Sequence, residues 1–63
     1  MGEAGPELGE VFFEFVILGL NQKVTAIHEA TGIEVTVVGP ANAHRGDLQR
    51  LALAKLRRRL TAA

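Results

Sequence analysis

Only one stretch of this chain, residues 47–60, repeats its apolar residues at helical spacing. Whatever the other segments form therefore has a single helix to cover it. Leu48, Ala52, Leu56 and Leu60 recur every four residues and make the stripe, with Leu51 on one flank and Leu53 on the other. Asn42 or His44 stands near the helix start, and Gly46 weakens its first turn. Upstream lie three runs rich in Val, Ile, Phe and Thr, residues 11–18, 23–28 and 33–38, with the character of strands. Residues 19–22 and 29–32 read as four-residue turns, and Gly32 suits the left-handed position that ends such a loop. Gly39-Pro40 stops the third strand. Residues 1–9, with three Gly, a Pro and two Glu, read as a flexible tail ahead of a single domain over residues 10–61. The expected fold is α+β: a three-stranded antiparallel meander, β-β-β, with one C-terminal α-helix packed on one face.

Two four-residue turns fix a register. Leu18 then faces Lys23, and His28 faces Ile33. One sheet face collects Phe13, Phe15, Ile17, Val24, Ala26, His28, Ile33, Val35 and Val37, the side for the helix, with the small Ala26 at its centre. The other face is mixed. It holds Phe12, Val16, Leu18, Ile27 and Val38 among Glu14, Lys23, Thr25, Glu34 and Thr36. Strand 11–18 is in this reading a hydrophobic edge without Pro, Lys or Arg, the kind of edge natural proteins protect or pair.

A chain of 63 residues is small for a self-sufficient core, and it has no Cys to supply disulfides. Oligomerisation is the remaining remedy. A homodimer is therefore expected, with Phe12, Val16, Leu18, Ile27 and Val38 as interface and three possible geometries: edge pairing, packing of the mixed faces, or helix exchange. An alternative leaves the chain monomeric, with Leu8 of the tail covering Phe12 and Val16.

The same composition narrows the chemistry. Without Cys there is no thiolate zinc site or Cys nucleophile, and without Ser there is no Ser-His-Asp triad. His28 and His44 are 16 residues apart and fit no HxxxH or HExxH spacing, so His28 reads as a loop or capping residue and no metal is expected. Glu14 and Glu34 flank Ile27 at two strand spacings, about 9.6 Å. They lie on a flat sheet with no cleft to shift their pKa values, so neither is given a catalytic role. No enzyme activity and no cofactor are expected. The apolar stretch from Val11 to Leu20 holds Glu14 and is far short of the roughly 20 residues that span a bilayer. Residues 1–9 lack Lys and Arg, so no signal peptide is read there and the expected location is cytoplasmic.

Seven basic residues balance seven acidic ones, but unevenly. Residues 1–34 carry six Glu against Lys23, while the later residues carry Arg45, Arg50, Lys55, Arg57, Arg58 and Arg59 against Asp47. Those six cations are the candidate phosphate contacts of an alternative reading, a weak double-stranded-RNA binder. The strand order followed by a helix resembles the second half of a double-stranded-RNA-binding domain. That family's first helix and its Lys cluster have no counterpart here: His44 and Arg45, then Gly46 and Asp47, stand where the cluster would be. Arg57, Arg58 and Arg59 also point about 100° apart on a helix, and cations in a last turn complement its dipole.

A second resemblance covers about four-fifths of the chain, from Gly9 to Leu60. It rests on Gly9-x-Val11-Phe12-Phe13-Glu14-Phe15, Val24-Thr25-Ala26-Ile27, Ala30-Thr31-Gly32-x-Glu34-Val35, Val38-Gly39-Pro40-Ala41 and Ala52-Leu53-x-Lys55-Leu56. In these residues the chain resembles a family of short uncharacterised alphaproteobacterial proteins. His28, in place of an Asp before the turn, and Gly46 depart from the pattern. The resemblance implies a small bacterial protein without an assigned activity and transfers no site. The sequence as a whole points to a non-enzymatic homodimeric interaction module, with an unidentified protein as a further partner and neither nucleic acid nor membrane.

Overall fold

A computed structural model describes the backbone of residues 2–5 and 9–62, and the side chains of residues 9–62. Its elements run β1 (Gly2–Gly5), β2 (Gly9–Leu18), β3 (Asn21–His28), β4 (Glu34–Pro40) and α1 (Arg45–Thr61). The strands form one antiparallel sheet in the order β1-β2-β3-β4. The expected meander is β2-β3-β4, followed by the C-terminal helix. The fold is thus α+β.

Two expectations need correction. The first concerns residues 1–9: Gly2–Gly5 is not a tail but a fourth strand, pairing Gly2 with Phe12 and Gly5 with Gly9. Low β-propensity hid it, because pairing here uses backbone groups, which Gly and Ala supply as well as any residue. Gly9 takes a left-handed φ of 70° that β-branched residues avoid. Leu8, the expected cover for Phe12, lies outside the described residues. The second correction is the β2–β3 register. Leu18 faces Asn21, not Lys23, so the turn is the two residues Gly19 and Leu20. Gly19 has φ 61° while Leu20 has negative φ, the sign pattern of a type II′ hairpin turn, whose twist matches that of the strands. The slip is two residues. Side chains alternate with period two, so every residue stays on its expected face.

At the other hairpin the register is as expected. The His28 amide donates to Ile33 O at 2.9 Å, the Gly32 amide donates to His28 O at 2.8 Å, and Gly32 has φ 74°. The histidine is buried, and its Nδ1 lies 2.8 Å from Thr31 Oγ1. The Thr31 hydroxyl also accepts the Ile33 amide at 3.2 Å, so His28 is a loop-fixing residue.

The helix seals the core with the expected stripe. Leu48, Ala52 and Leu56 are buried against Val11, Phe13, Val24, Ala26 and Val35, with Leu60 and Leu53 partly buried beside them. Ala26 and Ala52 are fully buried, as a close helix-on-sheet approach requires. Gly39 serves the same approach, since a Cβ there would fall 2.8 Å from Leu48 Cδ2. Gln22, expected in the turn, instead lies on the core face and is 1% exposed. Its Nε2 donates to Ala43 O at 3.3 Å, tying β3 to the segment that leads into α1.

The helix begins two residues earlier than its apolar stripe suggests. His44 is its N-cap and makes no side-chain capping bond. Gly46 is exposed, lacks a positive φ, and has nothing nearer than Arg50 Nη1 at 3.8 Å from an added Cβ. Gly46→Ala should therefore stabilise the fold by about 0.5–1 kcal/mol, mainly by reducing the freedom of the unfolded chain. A thermal melt should move up by about 4 °C. A lowered midpoint would contradict this account of the first turn.

Candidate interaction surface

Antiparallel pairing makes the backbone groups of a strand point alternately to one neighbour and the other. The His28 amide is used toward β4, and the Glu10 carbonyl accepts the Glu29 amide on the β3 side. Even-numbered residues of β2 therefore turn their N–H and C=O toward β3. Val11, Phe13, Phe15 and Ile17 turn theirs outward. The outward groups of β2 pair with β1 only as far as Phe12. Beyond it, among the described residues, nothing pairs with Phe13, Phe15 and Ile17 on that edge.

The opposite edge of the sheet is closed differently. The outward groups of β4 sit on Glu34, Thr36, Val38 and Pro40, by the same alternation. Pro40 has no N–H to offer, and the Lys55 ammonium donates to the Thr36 carbonyl at 2.7 Å. Lysine and proline are two of the devices that stop strand addition. Pro40 and Lys55 obstruct one edge, and among the described residues the other is open and apolar beyond Phe12.

The side chains of β2 tell the same story. The helix packs mainly on β3 and β4, and it covers β2 only toward Val11 and Phe13. On the helix side Phe15 is consequently half-buried and Ile17 is 54% exposed. The Arg45 guanidinium lies 4.9 Å from the centre of the Phe15 ring, a cation–π contact that partly covers it.

On the far face stand the five expected interface residues. Phe12, Val16, Leu18 and Val38 are exposed and Ile27 is half-buried. The true register divides them. Phe12 faces Ile27 at one end, and Val16, Lys23 and Val38 form a cross-strand row at the other, next to Leu18. Between them runs a polar row, Glu14, Thr25 and Thr36, with Thr25 Oγ1 and Thr36 Oγ1 3.3 Å apart. Glu14 and Glu34 thus do not flank Ile27 as expected; Glu34 faces Ile27, while Glu14 faces Thr25.

The basic residues of α1 do not converge on one stripe. Arg45 is on Phe15, Arg50 pairs with Asp47 on the same helix, and Lys55 holds Thr36 O. Lys55, Arg58 and Arg59 rim an open groove of about 590 Å³ whose walls include Val35, Val37 and Leu51. His44 is exposed at the helix start, whereas His28 is buried in the β3–β4 hairpin. Among the described residues no three His, Asp or Glu side chains come together as a metal site requires. No helix among them is long and apolar enough to cross a membrane.

Residues 8–63 match the model of a family described as a domain of unknown function, DUF6898. No curated protein matches the chain, and no solved structure does.

If Lys55 is what closes the β4 edge, Lys55→Ala should open a second pairing edge on every molecule. Light scattering at matched concentration should then report assemblies larger than those of the unmodified chain. Unchanged scattering from the folded variant would show that the ammonium is dispensable there.

Proposed function

We propose that this chain, which belongs to the DUF6898 family of domains of unknown function over residues 8–63, is a non-enzymatic homodimeric protein–protein interaction module. The observation that carries the reading is the apolar excess of β2. Phe12, Val16 and Leu18 are exposed on one face and Ile17 on the other, in a strand whose outer edge is paired only at its start among the described residues. Exposed apolar surface concentrated on one element marks an interaction site, and a domain of this size gains most from association. A cytoplasmic, alphaproteobacterial setting completes the reading. The nucleic-acid alternative is weakened at Arg45, Arg50 and Lys55, which are each engaged within the chain.

Sedimentation equilibrium tests it. The unmodified chain should sediment at twice its 6.8 kDa. Val16→Asp and Leu18→Asp place a charge where apolar contact is needed, and each should weaken association at least about 100-fold, equivalent to ~2.8 kcal/mol. Circular dichroism should show both variants folded, because both side chains are exposed in the single chain. Undiminished association in both would remove the basis of the proposal.

A further inference from the structure

We infer that two copies of this chain join through the open edge of β2, by antiparallel strand addition over residues 14–18, into one continuous sheet. The inference rests on the dimer reading above and specifies which surface carries it. Four observations point to the edge and away from the far face. The outward N–H and C=O groups of Phe13, Phe15 and Ile17 lack partners among the described residues, and pairing would satisfy those of Phe15 and Ile17. The segment contains no Pro, Lys or Arg to resist pairing. Ile17, 54% exposed, is on the helix side, where packing of the far faces would leave it uncovered. The far face is itself cut by the polar row of Glu14, Thr25 and Thr36.

Geometry then fixes much of the assembly. Outward groups sit on odd-numbered residues, so odd must face odd across the seam. With Ile17 of one copy opposite Phe15 of the other, Val16 faces its own counterpart. The hairpin turn of each copy then stops short of β1, whose first residue, Gly2, faces Phe12. An antiparallel seam of this kind has its two-fold axis perpendicular to the sheet. Both helices therefore lie on one side, with Phe15 and Ile17 of the two copies packed in the gap between them. On the other side Val38, Lys23 and Val16 of one copy continue into Val16, Lys23 and Val38 of the other. The occupant of the edge is a second copy because this strand supplies, under a two-fold, the complement of its own pattern.

The test uses the full chain and two kinds of variant. Ile17→Pro removes an N–H that the β2–β3 ladder does not use, and Ile17→Lys places a charge at the seam. Val38→Asp alters the far face on β4, remote from the seam. Sedimentation equilibrium should give single-chain mass for either Ile17 variant and the dimer mass for Val38→Asp. Should Ile17→Pro not fold, Ile17→Lys and the unmodified chain still decide. In the unmodified dimer the Phe15 and Ile17 amides should exchange with solvent at least ~10-fold more slowly than in dilute monomer. Dimer mass lost in Val38→Asp, or Phe15 and Ile17 amides unprotected in a dimer, would overturn the edge while leaving the dimer standing. A chain monomeric at every concentration would overturn both readings.

Discussion

An α-helix is about 10 Å across and strands lie about 4.8 Å apart, so one helix covers roughly two strands. This width limit governs the molecule. The single helix α1 lies mainly over β3 and β4, and its ridge of Leu48, Ala52 and Leu56 closes the core there and over Val11 and Phe13 at the start of β2. From that position Lys55 reaches the Thr36 carbonyl and blocks the β4 edge. The same placement leaves β2 half covered on one face. Phe15 is shielded in part by Arg45, and Ile17 is largely open. The closed edge and the open edge are thus two consequences of one packing decision.

Much of this could be read from residue order. The β2-β3-β4 meander, the helix stripe and the assignment of side chains to faces all follow from periodicity, and they survive an error in register. Placing the β2–β3 turn over four residues instead of two shifts every pair by two, which cannot move a side chain across the sheet. The cost falls on lateral neighbours. Glu14 and Glu34 separate, and the five apolar residues of the far face divide into two groups. Gly19 carried the missing signal, since Gly at the first of two loop positions suits a type II′ turn. Strand β1 had no such signal, because the sequence Gly-Glu-Ala-Gly has low β-propensity. The Lys55–Thr36 contact was also hidden. It depends on where the helix lies over the sheet, and apolar spacing alone does not set that.

The asymmetry of the two edges bears on the kind of assembly such a chain can form. Two open edges would allow each molecule to pair twice and grow without limit, the hazard that edge strands pose. With Pro40 and the Lys55 contact on one side and, on the other, a run of β2 whose only charge is Glu14 on its far face, the described residues favour pairing through the β2 side alone. A two-fold contact consumes that edge and closes. In this arrangement the helices and the mixed faces of the two copies occupy opposite sides, so the mixed side stays available to another protein.

The most direct measurement is an isotope-filtered NOE experiment on an equimolar mixture of labelled and unlabelled chains. In an antiparallel seam the pair at Val16 is not hydrogen-bonded, and its Cα atoms approach to about 4.5 Å. A strong Hα–Hα NOE should therefore connect Val16 of a labelled copy with Val16 of an unlabelled one. Cross-copy NOEs from Phe12, Ile27 or Val38 to the far face of a second molecule, without one at Val16, would contradict the edge-paired dimer.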